Sequence, residues 1–206
     1  MTDTSAGVPD PRDHAAPVTA GSAAHHVVLP SWAVVTDSRR AHIGRVVDLI
    51  DGWAVALGLV PAQRQAWADA ATWHDAVRDA PEATLRAWLA GSDVDATAMD
   101  VALLHGPAAA VRLAADGERR RDVLDAVRWH TVGSIEWGPT GRALYMADFL
   151  DPGRNFARAE RAALAQRVPR DFDGAFRDAV AMRVQWAVSA GKPLAPQTVA
   201  LWNAVR

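Results

Sequence analysis

The stretch ATWHDAVRD, residues 71–79, sets an imidazole and a carboxylate side by side at His74 and Asp75. Imidazole nitrogen and carboxylate oxygen together suit borderline or hard divalent ions such as iron, manganese, zinc or cobalt. Adjacent residues on a helix point about 100° apart. The pair could therefore approach one ion from two directions, or Asp75 could bridge two. Alone, such a pair is equally a half-exposed polar patch on a helix flank. Three further histidines change its context: His42, His105 and His130 each lie in or at the end of a different predicted helix. Asp148 lies in the otherwise apolar RALYMADFL. Burying it without a partner would be costly, so it calls for a partner or a cation unless it ends its helix facing solvent. The remaining histidines, His14, His25 and His26, precede the first helix. His25 and His26 could share a metal, but nothing near them supplies further ligands in a fixed geometry.

The elements that must position these groups read as helices nearly throughout. DSRRAHIGRVVDLIDGWAVALGL offers Asp37 or Ser38 as N-cap, keeps apolar residues at helical spacing from Ile43 to Leu57, and stops at Gly58. Pro61 suits the first turn of a helix that carries Trp67, Ala70, Ala71 and His74. PEATLRAWL and DATAMDVALL read as two further helices, the second reaching His105. PAAAVRLAADG, RRDVLDAVRWHTVG, GPTGRALYMADFL, FARAERAALAQRV, FDGAFRDAVAMRVQWAVSAG and APQTVALWNAV follow. β-Branched alternation is scarce, so the expectation is an all-α protein.

The chain has 206 residues, half of them apolar and 22% charged, with a formal net charge of −2. This is the balance of a globular domain with a sizeable core, and it gives no general reason to expect nucleic acid or an anionic membrane as a partner. There is no cysteine, which excludes disulfides and thiolate metal sites. No apolar run approaches a membrane span, and the Ala-, Pro- and Ser-rich start lacks the pattern of a secretory signal. Residues 1–30 read as a flexible leader and residues 31–206 as one domain, with a cytoplasmic location expected.

The ordered pieces RRAHIGRV, ATWHDAVRD, LLHGPAAA, DVLDAVRWHTVG, LYMADFLDPGR and GKPLAPQTVALWN resemble the HD-domain metal-dependent phosphohydrolases. The nearer likeness is to the YqeK-type members, which hydrolyse diadenosine tetraphosphate symmetrically to two ADP. The resemblance implies an HD-domain helical bundle. It also implies metal ligation by His42, His74, Asp75, His105, His130 and Asp148. Six ligands exceed what one tetrahedral ion needs, which points to a dinuclear centre. Iron is the metal associated with this type, with manganese or another transition ion as alternatives. The family places lysine three residues after the aspartate, where this chain has Arg78, a planar fork in place of a point charge. SIEWGPT after HTVG and the long leader are further departures.

On this reading a metal-activated hydroxide attacks an inner phosphorus, with Asp75 and Arg78 as catalytic residues. Arg39, Arg78 and Arg154 are phosphate-binding candidates because each lies in a matching motif; otherwise each is a surface ion pair. Thr131 could bind phosphate or cap a helix end, and Gly133 reads as a helix stop with positive φ. Glu118 to Asp122, ERRRD, reads as a solvated helix start. Trp73 and Trp129 are expected behind the site, while Trp137, in a predicted loop, could contact a base or pack in the core. Exposed tryptophans could also form a homodimer interface. The same centre could serve a nucleotidase or nucleoside-triphosphatase, and a nucleotide- or metal-sensing module is the non-enzymatic alternative.

Overall fold

The structure, a computed structural model, describes residues 27–206. His14, His25, His26 and most of the expected leader lie outside them. Among the described residues the chain is all-α, with no strand. The helices are α1 (Asp37–Ala56), α2 (Pro61–Trp73), α3 (Glu82–Leu89), α4 (His105–Ala115), α5 (Arg121–Trp129), α6 (Pro139–Leu150), α7 (Arg158–Arg167), α8 (Phe172–Ser189) and α9 (Pro196–Val205).

Two local expectations change. The N-cap of α1 is Thr36, whose hydroxyl accepts from the Arg39 backbone N–H at 3.3 Å. Asp79 fixes this cap: its Oδ2 accepts from Thr36 N at 2.8 Å and from Thr36 Oγ1 at 2.9 Å. The start of α1 is thereby tied to the turn that follows His74 and Asp75. The second change concerns DATAMDVALL, which forms only a one-turn 3₁₀ segment, Val101–Leu103. Asp95 Oδ1 accepts from the backbone N–H groups of Thr97 and Ala98 and from the Thr97 hydroxyl, and Asp100 Oδ1 accepts from Ala102 N. These short side chains take the backbone donors that a helix would have used.

Helix α6 is the centre of the molecule and packs against α1, α2, α5, α7 and α8. Arg142 apart, its residues from Thr140 to Leu150 are buried, as suits a helix surrounded by others. Leu144, Met146 and Phe149 each contribute on the order of 1.5–3 kcal/mol through burial. They belong to a large cluster with Ile43, Val46 and Ile50 of α1, Trp67 and Ala70 of α2, and Phe176 and Val180 of α8. A second, smaller cluster gathers Leu85 and Leu89 of α3, Ala108, Ala109 and Leu113 of α4, Val77 and Val127. Trp73 packs against both. Val27 and Leu29, ahead of the first helix, also lie on the large cluster.

Candidate metal centre

The four histidines and two aspartates lie on or just after five different helices, and packing brings all six together. His74 is the C-terminal cap residue of α2, and Asp75 begins the turn after it. His42 lies one turn into α1 beyond Arg39, His105 opens α4, His130 follows α5, and Asp148 faces inward from α6. All six are buried. At 5% exposure, Asp148 is not a solvent-facing helix end.

Two glycines permit close contacts beside the site. Gly106 lies where a Cβ would meet the carbonyl oxygens of Arg128 at 2.8 Å and Val127 at 2.9 Å, so the start of α4 rests directly on the end of α5. That contact brings His105 beside His130. Gly133 has φ 92°, the stop expected after HTVG, and a Cβ there would meet Leu201 of α9 at 2.4 Å.

The ligand atoms fall into two triads that share one residue. His42, His74 and Asp75 have ligand atoms within 4.8 Å of one another, and so do Asp75, His105 and His130. The two oxygens of Asp75 divide between them. Oδ2 lies 3.6 Å from His42 Nε2 and 3.5 Å from His74 Nε2, whereas Oδ1 lies 3.2 Å from His105 Nε2 and 3.4 Å from His130 Nε2. Asp148 Oδ1 joins the first group, 3.2 Å from His42 Nε2.

The hydrogen bonds behind the rings fix which nitrogen is free. His74 Nδ1 lies 2.7 Å from the Ala71 carbonyl and His130 Nδ1 lies 2.8 Å from that of Val127. A carbonyl can only accept, so each Nδ1 carries a proton and each Nε2 of the neutral ring offers a lone pair inward. His42 Nδ1 donates in the same way to Asp151 Oδ2 at 2.7 Å. The Nε2 atoms of His42 and His74 are 3.3 Å apart. Two lone pairs at that distance repel unless a proton or a cation stands with them. Four imidazoles and two carboxylates so arranged fit divalent ions, with the shared Asp75 able to bridge two.

The protonation tendencies favour neutral His74 and His105, whereas His42 is drawn toward its charged form, whose inward proton a metal would have to displace. Burial alone would lower the pKa of His42, but its contacts with Asp148 and Asp151 raise it to about 9. Burial lowers His74 to about 4, and it lowers His105. Burial would push Asp75 and Asp148 up, but the histidines around Asp75, and Arg154 with His42 beside Asp148, hold both well below the usual carboxylate range.

Asp151, which the motifs did not single out, supports His42 from behind. It is buried, and its Oδ1 accepts from Arg45 Nε at 2.6 Å and from Gly153 N at 2.9 Å. Burial pushes its carboxyl up, but His42 and Arg45 draw it below the ordinary range.

The centre opens into a cleft of about 640 Å³. All four phosphate-binding candidates line it, in different states. Arg39 NH1 is 2.7 Å from Asp75 Oδ2, and Arg154 pairs with Asp148 through both its carboxylate and, at 2.9 Å, its carbonyl. The Arg78 side chain has no ion-pair or hydrogen-bond partner among the described residues. The Thr131 hydroxyl stands 3.1 Å from His130 Nε2 and 3.4 Å from His105 Nε2, so it faces the second triad. Arg183, Trp186 and Lys192 also line the cleft and had no signal beyond the terminal motif that carries Lys192. Trp137 is buried in the large cluster, bonded to the Asp125 carbonyl, and does not reach the cleft. Trp73 and Trp129 pack against the large cluster and do not line the cleft. Arg120 of the ERRRD segment is paired with Glu118 and Asp69.

No family model matches the chain. Over 102 residues it is 28% identical to a symmetrical bis(5'-nucleosyl)-tetraphosphatase of Halalkalibacterium halodurans, spanning 49% of this chain and 54% of that protein. Over 137 residues it is 24% identical to the Bacillus subtilis protein of the same description, spanning 65% of this chain and 73% of that one. The chain thus matches only about half the length of the first of these relatives. Its fold is similar to a Clostridium acetobutylicum structure described as a predicted HD superfamily hydrolase involved in NAD metabolism. That likeness has a TM-score of 0.70 at 22% identity and covers 83% of this chain and 90% of the other. Its ordered histidines and aspartates fold into one buried centre, and the chain shares the fold of that structure and resembles the symmetrical bis(5'-nucleosyl)-tetraphosphatases.

Proposed function

We propose that this protein is a metal-dependent phosphohydrolase that cleaves diadenosine tetraphosphate symmetrically into two ADP at a dinuclear centre. The observation that carries the reading is Asp75, whose two oxygens each face a separate pair of histidines. Divalent ions, iron in preference to manganese or another transition ion, would supply the nucleophilic hydroxide and polarise a phosphoryl oxygen. His42, His74 and Asp148 would hold one ion and His105 and His130 the other, with Asp75 placed between the two sets. Arg78, whose side chain has no carboxylate partner among the described residues, neutralises negative charge that shifts to the leaving nucleotide. Arg39 and Arg154 hold Asp75 and Asp148 in orientation and turn their remaining N–H groups to the phosphate chain. The Thr131 hydroxyl donates to a phosphate oxygen beside the second triad.

The resemblance to the two tetraphosphatases supports the choice of substrate. The test is product analysis with protein loaded separately with iron and manganese. ADP as the sole product is expected. AMP with ATP, or an untouched dinucleotide while simple nucleotides are hydrolysed, overturns the assignment.

A further inference from the structure

Helix α8 presents Arg183, Trp186 and Ala187 to the cleft, at the i, i+3, i+4 spacing of one helical face. The Arg183 guanidinium lies over the rings of Tyr145, at 4.7 Å, and Phe149, at 5.8 Å, and one of its nitrogens donates to the Thr131 carbonyl at 2.8 Å. Its other terminal nitrogen is buried without a hydrogen bond and stands 3.5 Å from Asp148 Oδ2. A cation held rigidly by aromatic faces, with a donor unused beside a metal centre, is prepared for an anion that arrives with the substrate.

One turn further along α8, about 5 Å by the helical rise, stands Trp186. It is 37% exposed, the one exposed tryptophan among the described residues, and it is stacked on Phe156 at 5.5 Å. Lys192, in the turn between α8 and α9, lies with Nζ 4.6 Å from the Trp186 ring centre. It is the chain's single lysine. Its ammonium has no carboxylate partner among the described residues, so the indole face orients it without neutralising it. Arg183 and Lys192 therefore lie along one wall, the first at the metal centre and the second at the rim.

We infer that this wall binds the phosphate chain of the substrate, Arg183 beside the reacting phosphate and Lys192 further out, so that Lys192 selects for substrates with several successive phosphates. The inference extends the phosphohydrolase reading above and rests on its placement of the metal centre.

The experiment measures the binding of adenosine mono-, di- and triphosphate to the metal-loaded full chain by calorimetry, beside metal content. In the wild type, affinity rises along the series. Lys192→Ala is expected to weaken the triphosphate about tenfold and the monophosphate less than twofold, with Lys192→Arg restoring most of the loss. Arg183→Gln is expected to weaken all three alike at unchanged metal content. A triphosphate affinity unchanged by Lys192→Ala, or an equal loss across the series, overturns the inference. It stands if the series behaves as described even where diadenosine tetraphosphate is not cleaved, which would defeat the substrate assignment alone. Conversely, symmetrical cleavage with no Lys192 dependence defeats only the role of the wall.

Discussion

Asp151 shows how much a single side chain behind a ligand can decide. His42 can offer Nε2 inward only while Nδ1 has an acceptor, and Asp151, clamped by Arg45, is that acceptor. Asp151→Asn should lower metal affinity about 10- to 100-fold with the helical fold intact, read by metal titration alongside circular dichroism. The same histidine sets a pH dependence. Its pKa, raised to about 9, means that its inward nitrogen holds a proton at neutral pH, which a metal must displace. Metal affinity should therefore rise between about pH 6.5 and 9, with proton release on binding that falls away toward pH 9. Calorimetry in buffers of different ionisation enthalpy measures the release, and an affinity that does not change over this range contradicts the assignment of the proton to His42. The six candidate ligands were visible in the sequence because residue type and order survive without coordinates. Asp151 was not, since an aspartate before a proline reads as a turn residue, and its partner His42 is 109 positions away.

At the level of the elements, the second triad depends on how closely α4 meets the end of α5. Gly106→Ala would drive a methyl into two carbonyl oxygens that belong to the backbone and cannot rotate aside. The variant should lose roughly 1–3 kcal/mol of stability by thermal or chemical denaturation. It should also weaken one class of metal site while sparing the other, because His105 and His130 are pushed apart and His42 and His74 are not. Most helices were legible from apolar spacing and from Pro and Gly at their ends. The stretch before His105 was misjudged because its alanines and leucines suit a helix, whereas Asp95 and Asp100 turn their carboxylates onto nearby backbone N–H groups. The cap of α1 fell at Thr36 for a related reason: Asp79, distant in sequence, holds it there.

For the molecule as a whole, a net charge of −2 conceals a cleft in which Arg39, Arg78, Arg154, Arg183 and Lys192 converge. Summed charge excluded a nucleic-acid or membrane surface as an expectation, but could not reveal a local gathering of cations from four distant segments. A polyanionic substrate drawn by that field should show a KM that rises as ionic strength goes from about 0.05 to 0.5 M, with kcat little changed. Steady-state kinetics on diadenosine tetraphosphate measures this, and a KM indifferent to salt counts against the cleft as the entry route. The all-α architecture followed from periodicity, whereas the division of the interior into two apolar clusters did not, because it depends on which helices meet.

That division carries a thermodynamic consequence. The first triad hangs mainly from helices of the large cluster, the second partly from those of the small one, and Asp75 with Trp73 stands between them. Metal ions held there would act as rivets across a seam, joining the two clusters into one cooperative block. Scanning calorimetry of the chelated protein should resolve two overlapping melting events, which merge into a single, sharper and hotter one when the metal is restored.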